Sequence, residues 1–252
     1  SGRQVSSSDA ENIHLSNHSE GEATAYTIMV DKNETIGLEF KRTKDGEKNS
    51  VKISADRALS AENSIRKSIC LIPLNSTSQA GYIHLWNFMS RDNAKALKDA
   101  ISNNFSQASA LIIDLRGRGG RVDVIRTIAR MLSSQKKPTI LIIDGESRSA
   151  KEMLAHRLQG LSHVTLVGEV TAGAVLPATF EDLTGGAKLM IPSQRGDSQI
   201  LPFMKNTKLE GRGAIPDVKV NSGIPYSQGK DLILLKSIGI LKKEIQGELL
   251  RI

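Results

Sequence analysis

The stretch Ala110-Leu111-Ile112-Ile113-Asp114-Leu115-Arg116-Gly117-Arg118-Gly119-Gly120 decides how the rest of the chain is read. Its first four residues are apolar without alternation, the pattern of a strand covered on both faces. A glycine-rich loop follows, and then Val122–Ser134 carries Ile125, Ile128, Ala129 and Leu132 at helical spacing. Strand, loop and helix in that order form half of a βαβ unit, and the pattern recurs on both sides. Downstream come a buried strand at Pro138–Ile143, a helix at Ser149–Gly160 closed by its glycine, and a strand at Val164–Val167. Upstream come a strand at Gly81–Phe88 and a helix at Asp92–Phe105, with Ala94, Leu97, Ile101 and Phe105 on one face. The fold class is therefore α/β, with a parallel sheet of right-handed βαβ crossovers.

The flanks read differently. Residues 1–24 are rich in Ser, Asn and Glu and are expected as a loose, disordered leader. Residues 25–56 form a small β segment, with a hairpin turning at Lys44-Asp45-Gly46-Glu47. Residues 57–68 are polar and read as a linker, 69–225 as the core, and 226–252 as a C-terminal helix broken near Gly239. Residues 179–192 read as a second hairpin turning at Thr184-Gly185-Gly186.

Composition narrows the function classes. Apolar residues make up 39% of the 252, enough for a sizeable core. No apolar run approaches the ~18 residues that a membrane helix needs. The net charge is +7, but aromatics are 4% and the basic residues are interleaved with acids, which argues against nucleic acid as a partner. The single cysteine, Cys70, lies in the apolar run Ile69–Ile72 and is expected as a buried small side chain. The spacing of His14 and His18 does not make a metal site in so polar a segment, and no metal or cofactor is expected.

In such sheets the functional groups sit in loops at the carboxyl ends of the strands. The Gly117–Gly120 loop fits neither a dinucleotide fingerprint nor a P-loop, so it is either a structural turn or a cradle of N–H groups for an anion. The second loop runs Asp144-Gly145-Glu146-Ser147-Arg148-Ser149-Ala150-Lys151-Glu152. Ser149 with Glu152 three residues on has the form of a helix capping box. The same serine at a helix N-terminus is also where a nucleophile would be placed, with the Ala150 N–H as an oxyanion donor. The third loop, Gly168–Ala174, is hinged by glycines and either frames a cleft or merely turns.

Taken together, these loops resemble the carboxyl-terminal processing (tail-specific) serine peptidases and their tricorn-like and retinoid-binding-protein-like relatives. The resemblance runs through Gly81–Leu85, Asp114–Gly120, Ser147–Ala155, Val167–Gly173 and Glu210–Asp217, in the family's order across roughly residues 69–222. It implies a core of the Clp protease/crotonase-like type, preceded by a PDZ domain of which residues 25–54 resemble only the last strands. It implies Ser149 as nucleophile and Gly119, Gly120 and Ala150 as the oxyanion hole. The lysine base of the processing peptidases would fall at position 174, which is Ala174, and their supporting glutamine at position 178, which is Ala178. The tricorn-like branch takes a histidine from a segment before the PDZ domain and a late glutamate, for which Glu210 is the candidate. Of the histidines here, His84 is the least unsuitable base, His156 lies about two turns beyond Ser149, and Lys151 points away from it around the helix. The resemblance further implies a polypeptide substrate that is unfolded or tail-exposed, an extracytoplasmic location, and little activity for a chain without its base. The alternative reading is a non-catalytic module that binds a peptide or an apolar ligand on the same fold. Oligomeric state is not legible.

Overall fold

The computed structural model describes residues 3–4, 13–15, 26–28, 31, 33–54, 61–192, 203–223 and 227–247. The chain divides into two compact units, residues 1–60 with 222–232, and residues 61–221 with 233–252.

The smaller unit contains β1 (Arg3–Gln4), β2 (Ile13–Leu15), β3 (Tyr26–Ile28), β4 (Thr35–Lys41) and β5 (Lys48–Ser54). Strands β4 and β5 form the expected hairpin, from Thr35 opposite Ser54 to Lys41 opposite Lys48. The stretch expected as a leader contributes two strands. β1 pairs in parallel with β4 at Ile36 and Gly37, and β2 pairs antiparallel with β3. An exposed strand edge offers a row of backbone donors and acceptors, and short segments nearby take them up.

The larger unit runs α1 (Ala61–Lys67), β6 (Cys70–Pro73), β7 (Gln79–His84), α2 (Arg91–Asp99), β8 (Ala110–Asp114), α3 (Val122–Ser133), β9 (Thr139–Ile143), α4 (Ala150–Leu158), β10 (Val164–Gly168), β11 (Ala178–Asp182), β12 (Lys188–Pro192), β13 (Val218–Lys219) and α5 (Leu232–Ile245). Its main sheet has the order β13-β10-β9-β8-β7-β6. Only β6 is antiparallel to its neighbour. From β7 to β10 the spatial order is the chain order, so each right-handed crossover steps the same way and lays its helix on the same face. Side chains alternate between two apolar clusters. Leu111, Ile113, Leu141, Ile143 and Leu166 meet Leu97, Ile125, Ile128 and Leu154 from α2–α4. Ile112, Ile140, Ile142 and Val167 meet Ile233 and Leu241 of α5 on the other face. Coverage of both faces is why β8 is apolar from Ala110 to Ile113 and β9 from Ile140 to Ile143.

Five further expectations are corrected. The expected linker holds helix α1, whose Ile65 is fully buried in the core. The C-terminal helix runs unbroken through Gly239, where a Cβ would meet nothing, so the glycine weakens the helix without kinking it. Cys70 is exposed, because β6 is the edge strand of the sheet and Cys70, Leu71 and Pro73 are all left uncovered. The strand expected to reach Phe88 ends at His84, and the helix expected to reach Phe105 gives way to a π-helical turn over Ala100–Asn104.

Candidate active site

Strands β8, β9 and β10 lie side by side and in parallel, so the loops that leave their carboxyl ends converge. Ser149 stands between them, immediately before α4. An ordinary N-cap residue sits in the β region. Ser149 instead has φ 54° and ψ −122°. A residue with a Cβ pays strain of about 1–3 kcal/mol in such a region, and it is held there only by its surroundings. Those surroundings are specific. The Ser149 N–H donates to the Ala174 carbonyl at 3.0 Å and to Glu152 Oε1 at 2.9 Å.

Glu152 is fully buried and gathers more than the cap. Its Oε1 accepts from the N–H groups of Ser149 and Ala174, each at 2.9 Å. Its Oε2 accepts from Gly173 N–H and Thr171 Oγ1, each at 2.6 Å. Thr171 Oγ1 in turn accepts from Ala214 N–H at 2.7 Å. A Cβ on Gly213 would come within 2.2 Å of the Thr171 carbonyl, so only glycine allows residues 211–214 to pack there. The third loop is thus clamped on both sides.

The glycine loop reaches Ser149 from the β8 side. A Cβ on Gly119 would lie 2.7 Å from Ser149 Cβ and 2.7 Å from the Arg148 carbonyl oxygen. The loop is oriented by an isolated bridge between Phe88 and Gly120. There the Phe88 N–H donates to the Gly119 carbonyl and the Arg121 N–H to the Phe88 carbonyl, both at 3.0 Å. Ala150 opens α4, and the first N–H groups of a helix have no acceptor within it. The structure therefore brings Gly119, Ser149 and Ala150 together, with Gly120 next in the same loop.

Glu210 is exposed, and its Oε2 accepts the N–H groups of Val175 at 2.7 Å and Leu176 at 2.9 Å. It fastens the segment that follows Ala174. Among the described residues no histidine or lysine is hydrogen-bonded to Ser149. His84 Nε2 lies 3.0 Å from the Arg116 carbonyl, and His163 Nε2 lies 3.0 Å from the Leu132 carbonyl. His156 is half-buried, its Nε2 has no partner among the described residues, and burial with the nearby Lys205 lowers its pKa. His18 lies outside the described residues. Among the described residues no group of three or more His, Cys, Asp or Glu could hold a metal.

Sequence reasoning missed a charged layer beneath the glycine loop. Asp114 is fully buried; burial opposes its ionisation, but the Arg116 guanidinium, at 2.6 Å from Oδ2, holds its pKa below the usual carboxylate range. Tyr82 donates to the same carboxylate at 2.9 Å, and its own pKa is raised by burial and then by Asp114. Burial raises the pKa of Asp144, against the opposing hydrogen bonds of Ser147. Lys151 is fully buried, and its Nζ donates to the Arg116 carbonyl at 2.7 Å. Burial brings its pKa down to about 7, although Asp114 and Asp144 pull the other way. The one sequence signal for this layer was a lysine in the first turn of a helix, where the dipole disfavours a cation.

Comparison with known proteins bears on this arrangement. Residues 130–220 match the model of peptidase family S41. The matched span holds Ser149, Glu152, Ala174 and Glu210. A carboxy-terminal-processing protease of Bartonella bacilliformis is 28% identical over 164 residues, 62% of this chain and 34% of that protein. The chain thus spans about a third of the length of this curated relative. Among solved structures, the tricorn protease superposes with a TM-score of 0.54 at 19% identity, over 81% of this chain and 22% of that one. The photosystem II D1 C-terminal processing protease does so with 0.50 at 18% identity, over 69% and 52%. At those identities the structures speak to the fold, and it is the mixed α/β fold with a mostly parallel sheet described above. Among the described residues no helix is long and apolar enough to cross a membrane.

Proposed function

We propose that this chain carries the core of a serine-type peptidase that cleaves unfolded or tail-exposed polypeptides through an acyl-enzyme on Ser149. The observation that carries the reading is the backbone of Ser149. A serine held at φ 54° and ψ −122°, at a helix N-terminus and in contact with a glycine loop, is strained in a way that a capping role does not need. The S41 match over residues 130–220, which include Ser149, supports serine-type peptidase chemistry.

In this reading Ser149 Oγ attacks the scissile carbonyl carbon and its proton passes to a general base. The N–H groups of Gly119, Gly120 and Ala150 hold the oxyanion. Collapse of the tetrahedral intermediate breaks the C–N bond, and the amine leaves with that proton. Water then releases the acyl group by the same steps. Glu152 is a positioning residue, fixing Ser149 against the third loop. The base is a histidine from outside this chain, oriented by Glu210, since Ala174 stands at the position of the family's lysine. An extracytoplasmic location accompanies this reading.

A fluorophosphonate probe tests it, read by intact mass and peptide mapping with Ser149→Ala as control. Label confined to Ser149 is expected, and slow because the base lies outside this chain; rapid label there would mean that the nucleophile is activated within the chain and refute the external base. Equal labelling of Ser149→Ala overturns the assignment. Ligand binding that survives Ser149→Ala, with no label in either protein, favours a non-catalytic binding module. Robust cleavage of casein by this chain alone, lost in Ser149→Ala, refutes the external base.

A further inference from the structure

Two donors converge on one backbone carbonyl at the foot of the glycine loop. The Arg116 carbonyl receives Lys151 Nζ at 2.7 Å and lies 3.0 Å from His84 Nε2, which therefore carries its proton there. The next residue is Gly117, whose Cβ position would lie 3.5 Å from Lys151 Nζ, and two residues on is Gly119 against Ser149. Nothing local explains the lysine. It occupies the first turn of α4, the positive end of the helix, and it is fully buried with its ammonium 5.7 Å from the Phe88 ring centre. Burying a cation is costly unless it is given partners. The partner it has been given is the peptide group that enters the loop.

We propose that Lys151, aided by His84, is a positioning residue that fixes the Gly117–Gly120 loop against Ser149 by holding the Arg116 carbonyl. This rests on the reading of Ser149 as nucleophile and adds the device that sets the oxyanion side of the site. Lys151 and Glu152 are consecutive, so one turn of α4 ties down both loops that flank Ser149. The device is pH-sensitive. Lys151 is faced by Asp114 and Arg116 from the end of β8, by Asp144 from the end of β9 and by His84 from β7, with Tyr82 bonded to Asp114. With its pKa brought to about 7 by burial, the ammonium gives way to an amine just above neutrality and its hold on the carbonyl weakens.

Hydrogen exchange by mass spectrometry tests this on the whole chain, corrected for intrinsic exchange and measured from pH 6 to 9. Peptides covering 115–121 report the loop, and peptides covering 139–143 report the core. Lys151→Met is expected to speed exchange in the loop about tenfold, as for loss of a hydrogen bond to a charged group, and to leave the core protected. Wild-type loop protection is expected to fall through neutrality, and Lys151→Met to show no such step. Should Lys151→Met fail to fold, His84→Gln, at a half-exposed site, is expected to give the same change in smaller measure. Loop exchange that does not respond to either substitution, or that is flat with pH in wild type, overturns the proposal. So does a loosened loop with an unchanged rate of fluorophosphonate labelling at Ser149. Absence of any label on wild-type Ser149 counts against the nucleophile instead, and the exchange data still decide the clamp.

Discussion

The two loops that flank Ser149 are held by neighbouring residues of one helix in opposite ways. The Thr171–Ala174 loop presents N–H and O–H donors, and the Glu152 carboxylate accepts four hydrogen bonds, filling its capacity. The Arg116–Gly120 loop presents a carbonyl, and Lys151 donates to it, with His84 as second donor. The first loop is fixed along its length by a group with no acceptor sites to spare. The second is fixed at its entrance, and its far end relies on the bridge to Phe88. A site built this way has one rigid wall and one adjustable wall, and the adjustable wall is the one proposed to bind the oxyanion.

The largest effect is expected on the rigid side. Glu152→Gln turns one acceptor end into a donor facing two donors, and should cost about 2–6 kcal/mol of stability, at about 1–3 kcal/mol for each buried donor left without an acceptor. Urea denaturation monitored by circular dichroism measures it, and a loss under about 1 kcal/mol would mean that the clamp is not what fixes the loop. Gly119→Ala comes next. Its methyl would stand 2.7 Å from Ser149 Cβ, and overpacking of that kind costs about 1–3 kcal/mol. Under the proposed function it also removes labelling of Ser149 by displacing the loop. Between the walls, Ser149→Gly should be more stable than Ser149→Ala by about 1 kcal/mol, because both lose the hydroxyl but only glycine adopts φ 54° freely. Equal stabilities would show that the serine backbone is not strained.

Much of the fold was legible in the sequence, and the reason is periodicity. Apolar runs such as Ile140–Ile143 can only be strands covered on both faces, and Ile125, Ile128 and Leu132 can only be one side of a helix. The convergence of the Gly119 and Ser149 loops followed from the topology of parallel strands. What could not be read was set by tertiary contact. Ile65 in α1 is buried although its flanking residues are polar, because a seven-residue helix needs only one anchor in the core. From the sequence, Lys151 reads only as pointing away from Ser149 around the helix, and its partner is the carbonyl of a residue 35 positions away. Glu210, proposed above to orient the base, also fastens the backbone of Val175 and Leu176, a contact that no local pattern marks. Each of these depends on which surface packs against it, and local pattern does not carry that information.

The smallest effect expected is also the one that separates the two walls most cleanly. Lys151 releases its proton near pH 7 in the folded protein, whereas in the unfolded chain it keeps it to the ordinary lysine value of 10.5. Above pH 7 the unfolded state therefore binds more protons than the native state, and stability rises with pH. Between pH 7 and pH 8 the gain from this one group is on the order of 1 kcal/mol. Lys151→Met should lack the rise, and Glu152→Gln should keep it, because its lysine is intact. The direction is opposite to that expected for the loop itself, whose entrance loosens as the ammonium is lost. Urea midpoints taken at pH 7, 8 and 9 alongside loop exchange would thus show the protein becoming globally more stable while the wall beside Ser149 becomes less so. A midpoint that falls over this range in wild type, or rises equally in Lys151→Met, would mean that Lys151 keeps its charge and that both walls are equally rigid.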